Sequence, residues 1–209
     1  MLKIAVLISG SGSNLQAIID SIEAGNLNCS IEMVISDREE AYGIERAKSR
    51  EIKTYVIDRE LHRDTLSQEI LKLTKDKIDL IVLAGFLSIL EGELVSSFKN
   101  KIINIHPSLI PAFCGPGMYG IKVHQKAVDY GVKFSGCTVH FVDEGTDTGA
   151  IICQKIVPVF PQDSAELLQK RVLEEEHNAL PEVIRLIAEK RIKVKGRKVL
   201  IDEGGFEIC

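Results

Sequence analysis

The 209-residue chain has the length of one α/β domain, and its 45% apolar and 27% charged content excludes extended disorder. A net charge of −4 gives no global attraction to nucleic acid or an anionic membrane, so any anionic substrate must be held by local groups. The five cysteines are scattered without a C-x-x-C pair, which argues against a disulfide framework or a zinc site and for reduced, structural thiols in the cytoplasm.

Short β-branched runs alternate with longer helical patterns through the first half. The first run, Ile4–Ile8, follows the N-terminus too abruptly for a signal peptide, and no stretch approaches the ~18 apolar residues of a membrane span. Strands are predicted over Ile4–Ile8, Ile31–Ile35, Thr54–Ile57, Leu80–Ala84 and Ile102–Ile105, whose continuous apolarity suits a parallel sheet covered on both faces. Between them, Asn14–Ala24, Ala41–Arg50, Arg63–Asp76 and Glu91–Phe98 fit right-handed crossover helices. After a Pro- and Gly-rich stretch, Pro107–Gly120, a short helix is predicted over Val123–Tyr130. Two strands, Phe134–Val142 and Ile151–Val157, flank the acidic loop Asp143–Gly149. Asp163 with Glu166 marks the start of a helix running toward Lys190, which Pro181 is expected to interrupt or kink. The tail, Ile192–Asp202 around Gly196, reads as a hairpin. With no repeat or linker, residues 1–209 are expected to form a single domain.

The first strand ends in Ser9-Gly10-Ser11-Gly12-Ser13-Asn14 and passes straight into a helix. Glycines let backbone N–H groups approach a ligand, and a helix N-terminus adds partial positive charge, so the turn suits a phosphate. Ser13 and Gln16 have the spacing of a capping box. A nicotinamide-binding turn, with Asp37 as the ribose acid, fails because Leu15 occupies the third glycine position. A tight turn that binds nothing is the bland alternative.

Asn104 and His106 lie two apart near the end of the fifth strand and therefore project to the same side. An amide can donate to a developing oxyanion, and an imidazole can move a proton near neutral pH. The carboxylate this pair lacks is best supplied by the loop ending in Asp147. A satisfied structural histidine beside a solvated acidic turn is the competing reading. His62 and His124 fit structural surface positions, and His140 fits core or pocket lining. No H-E-x-x-H or G-x-S-x-G occurs, so neither zinc hydrolysis nor a serine triad is supported.

Asn104-Ile105-His106-Pro107-Ser108-Leu109, with Leu83-Ala84-Gly85-Phe86, Val139-His140-Phe141-Val142 and Asp147-Thr148-Gly149, resembles the 10-formyltetrahydrofolate transferase and hydrolase group. The Gly-Ser-Gly-Ser-Asn turn narrows the likeness, which runs nearly end to end, to the phosphoribosylglycinamide formyltransferase family of purine biosynthesis. The resemblance implies a three-layer, Rossmann-like α/β fold with a mostly parallel sheet and antiparallel additions in the C-terminal half. It implies Asn104, His106 and Asp147 as catalytic residues, and Gly12, Ser13, Asn14 and Glu176 for the ribose-phosphate amine. It implies Arg63, Leu87, Ser88, Ile89, Leu90, Val142 and Asp143 for the folate. Ser88 stands where some relatives have arginine, which leaves its pterin contacts to backbone groups. The stretch from Cys114 to Tyr119 is longer than in several relatives.

The expected function is therefore transfer of the formyl group of 10-formyltetrahydrofolate, a co-substrate, to the amine of N1-(5-phospho-D-ribosyl)glycinamide. No metal, nucleic acid or membrane partner is expected, and oligomeric state is left open. Asp147 is expected to favour the charged imidazole of His106. The rivals are a formyltetrahydrofolate hydrolase and a non-catalytic nucleotide- or folate-binding module. A methionyl-tRNA formyltransferase would carry a further tRNA-binding domain, and a nicotinamide oxidoreductase is the weakest alternative.

Overall fold

In the computed structural model, which describes residues 1–202, the first strand, β1 (Leu2–Ile8), is buried on both faces. Ile4, Val6 and Ile8 enter one apolar cluster while Ala5 and Leu7 enter the other, as the two-residue period of a strand requires. The chain continues through α1 (Ser13–Glu23), β2 (Cys29–Ser36), α2 (Gly43–Lys48), β3 (Thr54–Val56), α3 (Leu66–Thr74), β4 (Leu80–Leu83), α4 (Glu93–Ser97) and β5 (Ile102–His106). There follow α5 (Ile121–Tyr130), β6 (Phe134–Phe141), β7 (Ile151–Pro158), α6 (Ala165–Ala188) and the hairpin β8 (Ile192–Lys195) with β9 (Lys198–Ile201).

A seven-stranded sheet has the order β3-β2-β1-β4-β5-β6-β7. β1 to β5 pair in parallel, and β6 and β7 join antiparallel. The expected mostly parallel sheet with antiparallel C-terminal strands is thus found. Apolar residues of α1, α2, α5 and α6 pack on one face, and those of α3 and α4 on the other, giving three layers. Because the chain crosses from β3 back to β4 on the far side of β1, the strand order reverses between β1 and β4. The carboxyl ends of those strands splay apart into a crevice, where such sheets bind ligands.

Local details depart from the sequence reading. Ser13 does not cap α1. Gly12 is the N-cap residue, at φ 67°, with no side-chain cap. A Cβ on Gly12 would lie 2.6 Å from Gly43 Cα, so close packing of α2 selects glycine there. Gln16 instead bonds Asp20 and Arg46. At α6 the cap is Ser164, whose hydroxyl accepts from Leu167 N at 3.3 Å. Asp163 is drawn away by Arg171, with a shortest contact of 2.7 Å. Pro181 does not interrupt α6, which runs unbroken from Ala165 to Ala188. Packing of its apolar face against the sheet and α1 compensates for the lost backbone bond. Finally α3 begins at Leu66, which leaves Arg63 on an exposed turn.

Candidate active site

A cavity of about 710 Å³ occupies the crevice. Its walls are the turn after β1, the segment after β4, the end of β5, the Gly115–Gly120 loop, the Asp147 loop and one side of α6. Ser13, Asn14, Leu87, Ser88, Ile89, Leu90, Asn104, His106, Val142, Asp147 and Glu176 all line it, together with His124 and His140. Three expected site residues do not. Gly12 lies behind the wall against Gly43. Arg63 is exposed outside, and Asp143 turns into its own loop to accept from Gly145 N and Thr148 Oγ1.

The polar centre lies where β5 and β6 meet. Asn104 stands directly opposite His140 in the antiparallel ladder, and its Nδ2 is 3.2 Å from His140 Nε2. His140 Nδ1 lies 2.8 Å from the Phe141 carbonyl, which can only accept. With the proton on Nδ1, Nε2 accepts from the Asn104 amide and orients it, while Asp147 Oδ1 lies 3.7 Å from the same nitrogen. The second amide hydrogen of Asn104 is left for the cavity.

His106 is buried, with Nε2 3.0 Å from the Phe113 carbonyl and Nδ1 3.5 Å from Asp147 Oδ2. Both ring nitrogens therefore face oxygens, a setting that only the imidazolium satisfies fully. Burial opposes that charge and holds His106 below its ordinary value of 6.5, although Asp147 and the Phe113 carbonyl pull upward; His140 adds to the depression. Asp147 favours the charged ring, as expected, but desolvation outweighs it. Burial thus favours the neutral ring, while acceptors are in place for a second proton.

Asp147 sits in a left-handed conformation, φ 57°, and its Oδ2 accepts from Gly115 N at 2.9 Å. Burial alone would raise its carboxyl, but His140, His106 and the Gly115 amide hold it below the ordinary range. The loop closes at Gly149, where any Cβ would strike the Phe141 carbonyl oxygen, so only glycine lets it return to β7. His124 is buried rather than at the surface, and desolvation, helped by His106, brings it to about 4.

At the other end, Ser11, Ser13 and Asn14 surround the N-terminus of α1, and Arg46 Nε donates to the Ser11 carbonyl at 2.9 Å. Helix end and guanidinium together make this the anion-attracting end of the cavity. Asn14 Nδ2 donates to Glu176 Oε2 at 2.7 Å, while Asn14 Oδ1 is buried without a partner among the described residues. Burial raises Glu176 to about 7 despite the Asn14 bond.

That shift fixes a stability prediction. A carboxyl raised from 4.5 to about 7 by folding favours the neutral form, so its ionisation costs stability progressively as pH rises through that window. Glu176→Gln is expected to match the natural chain near pH 4.5 and to exceed it by up to about 3 kcal/mol at pH 8. Denaturant unfolding at both pH values measures the gap; an equal gap at both contradicts the assignment.

An amide, an imidazole and a carboxylate converge at the switch point of a parallel sheet, in a cavity that also takes in the N-terminus of α1. This defines an α/β group-transfer enzyme. The formyl transferase family model matches residues 2–184, and the chain belongs to that family. It is 41% identical to the phosphoribosylglycinamide formyltransferase of Haemophilus influenzae, with 97% of this chain and 94% of that protein aligned. It is 42% identical to the chloroplastic phosphoribosylglycinamide formyltransferase of Arabidopsis thaliana, over 91% of this chain and 67% of that one. The crystal structure of glycinamide ribonucleotide transformylase 1 from Symbiobacterium toebii superposes with a TM-score of 0.90 at 43% identity, covering 96% of this chain and 94% of that chain. Within the family, its branch is that of the phosphoribosylglycinamide formyltransferases.

Sequence reasoning left His140 between core and pocket lining, and it missed the hydrogen bonds of Leu87 N to Ser9 Oγ and of Ser88 Oγ to Asp37 Oδ2. Both depend on pairings between distant segments. Only the spacing of Asn104 and His106 carried a local signal.

Proposed function

We propose that this chain transfers the formyl group of 10-formyltetrahydrofolate to the amine of N1-(5-phospho-D-ribosyl)glycinamide, with Asn104, His106 and Asp147 as the catalytic residues. The observation that carries the assignment is their convergence on one cavity, whose lining also includes the anion-suited turn and the Leu87–Leu90 segment. Ser13 and Asn14 hold the phosphate-bearing substrate, Gly12 shapes their turn, and Glu176 places the amine end. Leu87, Ser88, Ile89, Leu90 and Val142 receive the folate. Asp143 acts by shaping its loop, and the family resemblance alone supports Arg63.

The amine nitrogen attacks the formyl carbon, forming a C–N bond, and the bond to folate N10 then breaks. Asn104 donates to the tetrahedral oxyanion, an interaction that strengthens as charge develops. The proton lost by the amine is relayed to the leaving nitrogen by Asp147 and His106, which lie 3.5 Å apart, and Asp147 stabilises the transient imidazolium. Holding both substrates in one cavity absorbs the entropy of bringing them together.

One domain is sufficient for this chemistry. Small molecules are its partners; the net charge of −4 gives nucleic acid or an anionic membrane no general hold. No described helix is long and apolar enough to cross a membrane. A cytoplasmic location agrees with the scattered cysteines, Cys209 lying outside the described residues.

Folate release from 10-formyltetrahydrofolate, followed by absorbance with and without the amine, tests the proposal. Release that requires the amine, with formylated product identified by mass, is the expected result. Equal release without it would make the protein a hydrolase. Binding of folate with no release would make it a binding module.

A further inference from the structure

Residues 87–90 form one wall of the cavity without regular secondary structure, so their shape depends on the side chains that hold them. Ser9 Oγ accepts from Leu87 N at 2.8 Å, and Ser67 Oγ accepts from Glu91 N at 3.0 Å. Between these, Ser88 Oγ donates to Asp37 Oδ2 at 2.6 Å. Leu87 and Ile89, on either side of the tethered serine, leave large apolar side chains 40% and 64% exposed beside the cavity.

Asp37 follows β2, and its side chain is 0% exposed. Arg59 Nη1 lies 3.9 Å from Oδ2, while Oδ1 has no hydrogen-bond partner among the described residues. A buried carboxyl with an unsatisfied oxygen is costly, and a well-packed apolar residue would serve stability better. Stability alone therefore does not account for it. Asp37 also lies outside the cavity lining and acts only through what it holds.

We infer that Asp37 is a positioning residue that, through the Ser88 hydroxyl, fixes the 87–90 wall and sets affinity for the formyl donor. The inference rests on the placing of the folate against Leu87–Leu90 in the proposed function. The pair governs donor binding rather than the chemical step, because neither residue approaches the Asn104–His106–Asp147 centre through any hydrogen bond or ion pair among the described residues.

The test pairs steady-state kinetics, each substrate varied in turn, with calorimetric binding of tetrahydrofolate. Loss of a hydrogen bond to a carboxyl group is expected to raise the donor KM and the tetrahydrofolate Kd about tenfold in Ser88→Ala, leaving kcat and the amine KM within about twofold. Asp37→Asn retains an acceptor for the hydroxyl and stays near the natural values. Asp37→Ala reproduces Ser88→Ala, and the double variant is no worse, as expected when both remove one interaction. An unchanged donor KM in Ser88→Ala, or a loss shared equally by both substrates, would overturn the inference. So would an Asp37→Ala protein that loses thermal stability but not tetrahydrofolate affinity. If the natural chain binds tetrahydrofolate but transfers no formyl group, the proposed reaction fails while calorimetry still decides the role of the pair.

Discussion

Asn104→Ala is expected to lower kcat by about 10²–10³ while leaving both KM values and the unfolding midpoint close to those of the natural chain. The reason is differential: the formyl oxygen gains most of its charge in the tetrahedral species, so the lost donor matters little in the ground state. The geometry sets the donor's direction. His140 Nε2 takes one amide hydrogen at 3.2 Å, and the other is available to the cavity. Asn104 is only partly buried, so truncation leaves room for water instead of an apolar void. Single-turnover rates at saturating substrates make the measurement. Turnover within about threefold of the natural enzyme would remove Asn104 from the oxyanion role, since a single such donor contributes far more.

Asp147→Asn is the second large effect, with kcat falling on the order of 10²–10⁴. The substitution suits the backbone, because asparagine tolerates the left-handed conformation at φ 57° and its carbonyl still accepts from Gly115 N. What disappears is the negative charge 3.5 Å from His106 Nδ1. His106 already lies below 6.5 because burial outweighs Asp147, and the acid limb of kcat/KM for the donor belongs below that value. In the variant nothing opposes burial to the same degree, so the limb moves to still lower pH. Glu176, at about 7, lies above that window, which separates the two groups. A limb that stays in place would assign the titration to a group other than His106.

Much of the fold was legible because its signals are local. Continuous apolar runs such as Ile4–Ile8 marked strands buried on both faces, and both clusters indeed meet at β1. Asn104 and His106 could be paired by the two-residue period, and the acidic loop from Asp143 to Asp147 could supply a carboxylate, with Asp147 singled out by the family resemblance. Terminal chemistry was less legible. Ser13 and Asp163 both have capping side chains, yet Gly43 packed on Gly12 decided one helix start and Arg171 the other. Pro181 reads as a breaker, but α6 has enough buried surface along its apolar face to continue through it.

The sequence by itself determined the class of sheet, the anion-suited turn and the pairing of Asn104 with His106, since periodicity and glycine placement are properties of neighbouring residues. Only the tertiary structure decided which way those groups act. Strand pairing set His140 opposite Asn104, the β1–β4 reversal joined turn and wall into one cavity, and Asp37 reached Ser88 across 51 positions. It also set the downward direction of the His106 shift, because desolvation depends on everything that folds around a ring, and no segment of sequence carries that sum.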